Sequence, residues 1–415
     1  MVHFRLVYPL IPILFGAALM LSIGMGLRQS LGLFLQPLTR DLALAVADFT
    51  VAIAIQNVTW GILQPIAGAV ATRWGFRPLM LSGAALYTLG LVVLATAQGL
   101  LGVVMGAGVL IGAALACTAS AIALAVASRA VSAQRRSTVL GLVTAAGSLG
   151  SVVAAPLGQI LSDSEGWRAG VVSFAVLASL MLPAVWLAGR VDRFTVPARV
   201  GDPLAGGTAR TAIAAAFRNR SFLIMAGAYF VCGMQLIFIA THLPSYLALC
   251  GMDPMLSAEA LAVITGFNVV GSLFFGWAGG RWSKQALLGG MYVARSIVLG
   301  FFSYPPTPAG TLIFAGCMGF LWLGVGPLIA GSVAEMFGLR WQAMIQGIAF
   351  MSHQVGSFVG ALGGGVLFDL LGSYDLAWQL AVGMGLTTGI TQLMFAAPPP
   401  PQARPPRLDP AISAR

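Results

Sequence analysis

The sequence has very little charge. Charged residues make up 8% of its 415 residues, and only 12 are Asp or Glu. Soluble domains carry about a quarter charged residues. Because hydrophobic residues reach 58% and the mean hydropathy is +0.91, the composition excludes a soluble globular chain and predicts a membrane protein.

Cysteines and catalytic motifs are also scarce. The four cysteines are far apart in the sequence, which excludes a disulfide framework and a zinc site of clustered thiols. No Walker motif and no water-exposed Ser-His-Asp arrangement is present. The sequence therefore predicts no enzyme, no cofactor and no metal.

Long apolar segments fill most of the chain. Twelve are long enough to cross a bilayer, which takes about 20 residues. They run over 8–36, 49–70, 78–97, 100–127, 137–160, 168–188, 221–248, 257–279, 285–303, 311–333, 342–367 and 377–397. We expect an all-α membrane protein with two six-helix bundles, 1–188 and 221–397, joined by a basic cytoplasmic linker, 189–220. Residues 398–415 are Pro-rich and are predicted to form a disordered cytoplasmic tail.

The net charge of +10 comes from arginines placed on one side of the membrane. With both termini inside, the outer side holds only Arg40 and Arg168 but eight of the twelve acids. This distribution follows the positive-inside rule and predicts an inner-membrane protein with cytoplasmic termini. The charge gives no support for binding nucleic acid.

The two halves share a repeated motif. Gly68-Ala-Val-Ala-Thr-Arg73-Trp follows the second segment, and Gly276-Trp-Ala-Gly-Gly-Arg281-Trp follows the eighth, offset by 208 residues. Two homologous halves with a site between them are typical of secondary transporters.

The first copy resembles the loop signature of the major facilitator superfamily, Gly-x-x-x-Asp-Arg-x-Gly-x-Arg, with Gly75 and Arg77 completing it. Thr72 stands at the Asp position, and Gly280 at the equivalent position of the second copy. The resemblance covers the whole chain and implies alternating access of two rocking halves. The departure at Thr72 implies that the usual charge relay of this loop is weakened or replaced.

Further motifs resemble the monocarboxylate and oxalate/formate carriers. They are Gly-Leu-Arg28-Gln-Ser in the first segment, Trp60-Gly and Pro65 in the second, and His353-Gln354-Val-Gly-Ser-Phe in the eleventh. In that group, a cation of the first segment and another of the second half engage substrate carboxylates. Arg28 matches the first cation. The second usually lies on the eighth segment, where this chain has Asn268 and Ser272, whereas Arg295 lies on the ninth.

Arg28 and Arg295 are both placed near the middle of apolar segments, and no acidic residue lies at comparable depth. A cation in hydrocarbon costs several kcal/mol unless it is compensated. An anionic substrate would compensate it. The alternatives are helix packing for Arg28 and structural anchoring for Arg295.

Polar residues recur on two other segments. Gln56, Trp60 and Gln64 lie at i, i+4 and i+8 beside Asn57 and predict one polar face, which must meet a cavity or another helix. Together with Asn268, Trp322 on the tenth segment and Gln354, they complete the predicted binding set.

Two histidines are the candidates for proton coupling. His242 and His353 lie within the segments, and histidine titrates near neutrality. The alternative for each is a neutral core histidine with one hydrogen bond. His353 shares a face with Gln346 and Gln354, which favours it.

The sequence therefore predicts a carrier, expected to be a monomer, for a small organic anion, with a monocarboxylate favoured and proton symport as one mode. One alternative is an efflux carrier for a drug or secreted metabolite. Another is a substrate-sensing receptor on a transporter scaffold.

Overall fold

A computed structural model describes residues 10–194, 204, 206–302 and 306–395. Within these ranges the chain is helical, and eleven helices are long and apolar enough to cross a membrane. A further helix of 21 residues, Asp375–Phe395, takes the twelfth position. The all-α, twelve-helix prediction is confirmed. Residues 195–203 and 205 of the predicted linker, and the whole tail predicted over 398–415, lie outside the described residues.

The helices follow the predicted segments closely. They are α1 (Leu10–Asp41), α2 (Val46–Trp74), α3 (Phe76–Ala95), α4 (Leu100–Ala130), α5 (Ala133–Glu165), α6 (Trp167–Arg193), α7 (Ala209–Arg218), α8 (Arg220–Leu249), α9 (Pro254–Ala278), α10 (Lys284–Phe302), α11 (Pro308–Phe337), α12 (Gln342–Leu371) and α13 (Asp375–Phe395). The short helix α7 belongs to the basic linker.

The same packing pattern occurs in both halves. In the first half α1 packs on α5, α2 on α4 and α3 on α6; in the second half α8 packs on α12, α9 on α11 and α10 on α13. The most extensive contacts between the halves are those of α2 with α12 and of α5 with α9. The repeated packing is what two homologous halves related by pseudo-symmetry require.

Helices α1, α4 and α11 depart from regular geometry along their length. Helix α1 tightens into a 3₁₀ turn at Leu31–Phe34, and α4 contains a π-helical turn at Val104–Leu110. Helix α11 is interrupted between Phe320 and Val325. Such irregularities free backbone polar groups, which in a membrane must find partners inside the protein.

Candidate functional site

The halves enclose a cavity of about 430 Å³. Side chains from both halves line it, and none of the described lining residues is Asp or Glu. The polar and aromatic lining residues include Arg28, Asn57, Trp60, Tyr229, Asn268, Trp322, Gln346, Phe350, His353 and Gln354. The structure therefore brings most of the predicted binding set to one cavity between the halves.

Arg28 is the cation of this cavity. It lies three residues before the 3₁₀ turn of α1, and its Nη2 donates to Oδ1 of Asn57 at 2.6 Å. The guanidinium carbon lies 5.2 Å from the ring centroid of Trp60, and the buried Nε has no partner. Among the described lining residues, Arg28 thus has a neutral acceptor and an aromatic face but no carboxylate, so these residues do not neutralise its charge.

Asn57 connects Arg28 to the second half of the protein. Nε2 of Gln354 donates to the backbone carbonyl of Asn57 at 3.1 Å and lies 3.3 Å from its Oδ1. Nδ1 of His353 lies 3.3 Å from Oε1 of Gln354, and its ring stacks on Phe350 at 5.5 Å. A chain of polar contacts therefore runs from Arg28 and Asn57 in the first half to Gln354 and His353 in the second half.

The polar stripe of α2 divides between two environments. Nε2 of Gln56 donates to the carbonyl of Ala107 at 2.7 Å, inside the π-helical turn of α4. Gln64 donates to Ala116 at 2.9 Å and accepts from the indole of Trp60 at 2.8 Å. Gln56 and Gln64 therefore join α2 to α4, whereas Asn57 and Trp60 face the cavity.

Arg295 lies behind the cavity wall. Its side chain is fully buried and is not among the lining residues. Nη2 donates to the carbonyl of Leu321 at 2.5 Å and lies 3.4 Å from that of Trp322, while Nη1 lies 3.3 Å from Sγ of Cys232. Its guanidinium is directed at the interruption of α11.

The two histidines are in different environments. His353 lines the cavity. Nε2 of His242 lies 2.8 Å from the carbonyl of Ala361, which can only accept, so this nitrogen carries a proton. Nδ1 is then free to accept from the hydroxyl of Tyr374 at 3.2 Å. Both ring nitrogens of His242 therefore have partners, and the side chain lies away from the cavity lining.

The loop motif lies where the halves meet. A Cβ added at Gly68 would lie 2.3 Å from the backbone nitrogen of Met344 on α12, and one added at Gly276 would lie 2.5 Å from the Cα of Gly141 on α5. Both glycines therefore permit backbone contact between the halves. We call this face of the protein the motif side.

Thr72, at the position of the missing acid, makes a contact between the halves. Its hydroxyl lies 3.0 Å from the carbonyl of Arg340, and Nη2 of Arg129 donates to the same carbonyl at 3.1 Å. Gln342 also donates to the hydroxyl of Ser128 at 2.9 Å. On this side hydrogen bonds to neutral acceptors join the halves.

The remaining motif residues anchor the loops. Gly75 adopts a φ of +95°, which favours glycine. The backbone N–H groups of Phe76 and Arg77 each donate to Asp192 at 2.8 Å. Arg73 and Arg281 lie over the indoles of neighbouring tryptophans, Trp74 at 5.5 Å and Trp277 at 4.2 Å.

Several lining residues were not predicted. Tyr229, Cys232 and Leu236 of α8 line the cavity at i, i+3 and i+7, and Phe350 joins them from α12. Their spacing defines one helix face, but apolar and aromatic side chains occur on every face of these helices. The sequence therefore held no signal that separates this face from those that meet lipid.

The chain matches known transport proteins. The family described as Major Facilitator Superfamily matches residues 14–361. Monocarboxylate transporter 11 of Mus musculus is 27% identical over 370 residues, covering 86% of this chain and 80% of that protein. Monocarboxylate transporter 13 of Bos taurus is 27% identical over 336 residues, covering 80% and 75%.

Among solved structures, the proton:xylose symporter XylE bound to 6-bromo-6-deoxy-D-glucose superposes with a TM-score of 0.71. It is 13% identical, and the match covers 94% of this chain and 96% of that chain. At this identity the likeness concerns the fold alone.

Proposed function

This chain belongs to the Major Facilitator Superfamily, and we propose that it is a secondary active transporter of a small organic anion, a monocarboxylate. Transport proceeds by alternating access, with the two halves rocking about the cavity near mid-membrane. The relatives named monocarboxylate transporters support this substrate class.

The observation that carries the proposal is the un-neutralised Arg28. A guanidinium in a water-poor cavity needs a counter-charge, and the described lining residues supply none. A carboxylate from solution would supply it and would accept charge-assisted hydrogen bonds from Arg28. Asn57 supports this role because its Oδ1 holds the guanidinium in place without cancelling its charge.

The rest of the cavity suits an anion with an apolar body. Leu236, Ile237, Leu261 and Ile264 also line it. A carboxylate bound at Arg28 would direct its hydrocarbon part toward these side chains, where burial is favourable. Arg295 adds positive potential from behind the wall without touching the anion.

We infer that the conformation described here is closed on its cytoplasmic side. The contacts between the halves named above run from Gln354 and Asn57 to Arg340 and Thr72 on the motif side. We assign that side to the cytoplasm of the inner membrane, with both termini there, because the arginines concentrate on it. The cavity is then closed toward the cytoplasm.

His353 is the residue that would couple transport to protons. Its ring lines the cavity and contacts Gln354, which in turn contacts Asn57 beside Arg28. Protonation there would therefore alter the charge next to the anion site.

Ligand-induced stabilisation of the purified protein tests the function. A ligand that binds the folded state raises the melting temperature by mass action. We expect short aliphatic monocarboxylates to raise it, and the same compounds to be taken up by vesicles containing the protein. Stabilisation by bulky aromatic or cationic drugs, with no response to any small carboxylate, would instead support an efflux carrier.

A further inference from the structure

The interruption of α11 exposes backbone groups beside the cavity. Helix geometry stops after Phe320 and resumes at Val325. The amides of Leu321 and Trp322 still donate to the preceding turn, at 3.1 Å each. The carbonyls of these two residues and the amide of Leu323 are left to find partners elsewhere, at a depth where unpaired backbone groups are costly.

Neighbouring helices supply those partners. Nη2 of Arg295 on α10 donates to the carbonyl of Leu321 at 2.5 Å and lies 3.4 Å from that of Trp322. Oδ1 of Asn268 on α9 accepts from the amide of Leu323 at 3.2 Å. One side chain thus satisfies the freed acceptors, and the other satisfies the freed donor.

The residues held in this way form part of the cavity wall. Trp322 and Leu323 both line the cavity, so the partners of their backbone determine where their side chains stand. Arg295 is also fixed on its other side, because its Nη1 lies 3.3 Å from Sγ of Cys232, itself a lining residue. Its planar guanidinium can hold two carbonyls and a thiol at once, which a lysine ammonium does not match.

We propose that Arg295 and Asn268 are positioning residues that hold the interruption of α11 open and thereby set the size of anion the cavity accepts. Arg295 acts on the substrate through the backbone of Trp322, without touching it. The part of this inference that concerns size selection rests on the proposed function; the part that concerns the interruption does not.

Amide hydrogen exchange tests the structural part without any substrate. The full-length protein in lipid nanodiscs is compared with Asn268→Leu, which removes the acceptor, and Arg295→Gln, which removes the guanidinium. Peptides covering residues 319–326 should exchange about tenfold faster in both variants, because their amides lose local protection. Arg295→Lys, which keeps the charge, serves if the Gln variant does not fold and should show an intermediate rate.

Matched controls lie on the same helices. Ser272→Ala changes a buried residue one turn after Asn268. Ser296→Ala changes the residue next to Arg295; the hydroxyl of Ser296 donates to the carbonyl of Tyr292 in its own helix. Both should keep the wild-type exchange rate. Unchanged exchange in Asn268→Leu and in the Arg295 variants, or equal acceleration in the controls, would overturn the structural part.

Competition kinetics test size selection. In Arg295→Lys the ratio of the KM for a branched or longer monocarboxylate to the KM for a short one should fall about threefold or more. The maximal rate for the short acid should change by a smaller factor than this ratio. Because Arg295→Lys keeps the charge, an equal rise in KM for all acids would show that the guanidinium affects binding without discriminating by size, and would overturn size selection. If the wild type transports no carboxylate at all, the proposed function fails, and the exchange experiment still decides the role of Arg295 and Asn268.

Discussion

Replacing Gly68 with alanine should drive the protein away from the conformation described here. The new Cβ would lie 2.3 Å from the backbone nitrogen of Met344 and 2.5 Å from the carbonyl carbon of Ala343. Ordinary contacts are about 3.4 Å or longer, so α2 and α12 would have to separate by roughly 1 Å on the motif side. Both atoms are backbone, so a side-chain rotation cannot relieve the contact.

The expected cost follows from the cost of overpacking. Extra atoms in a packed site cost about 1–3 kcal/mol. The cost applies only while the halves touch on the motif side, so it shifts the conformational equilibrium about 5- to 150-fold toward the state that is open there. The ligand cavity itself is not altered.

A cysteine at Ser128 reports the shift. Ser128 is fully buried in the contact with Gln342 between the halves, so a membrane-impermeant maleimide should label Ser128→Cys faster when the motif side opens. Gly227→Ala is the matched control, because a Cβ there meets no atom within 4 Å. Equal labelling with and without Gly68→Ala, or the same acceleration in Gly227→Ala, would refute the reasoning.

Three further predictions concern the contact between the halves and the cavity. Thr72→Val keeps the side-chain shape but removes the hydroxyl, which lies 3.0 Å from the carbonyls of both Gly68 and Arg340, so it should raise labelling in the same assay about 2- to 10-fold; Thr72→Ser should restore the wild-type rate, and failure to do so would show that this hydroxyl does not hold the halves together. Trp60→Ala should widen the cavity and raise the uptake of larger acids relative to that of short acids in competition assays; an unchanged order of selectivity would show that Trp60 does not limit substrate size. If transport is proton-coupled through the protein, His353→Gln should flatten the pH dependence of uptake whereas His242→Gln should not; a wild-type profile in both would place the proton on the substrate.

The sequence predicted the parts that depend on periodicity and composition. Apolar length specified the spans, and the repeat of Gly68 and Gly276 indicated two homologous halves. The polar faces that include Asn57 with Trp60 and His353 with Gln354 were predicted to meet a cavity or another helix, because a polar residue in a membrane helix must face protein or water. In the structure these four residues line the cavity. Each of these inferences concerns one helix and its own face.

The partners of the polar residues could not be predicted in the same way. Gln56 lies on the same stripe as Trp60, but it donates to a carbonyl of the π-helical turn in α4. No sequence pattern indicated that turn. Arg295 is fully buried in the protein, yet its guanidinium donates to the interruption of α11 and not to the cavity. Backbone irregularities create acceptors that compete with a substrate, and they arise from packing among several helices.

Substrate binding by Arg28→Gln tests the central claim most directly. Loss of a charge-assisted contact costs about 1.5–3 kcal/mol, so the variant should bind the cognate monocarboxylate about 10- to 100-fold more weakly while its melting temperature without ligand stays near wild type. Arg40→Gln, which removes an exposed cation from the same helix, should bind as the wild type does. If folded Arg28→Gln binds the anion within about twofold of the wild-type affinity, Arg28 is a structural residue and the carboxylate site lies elsewhere.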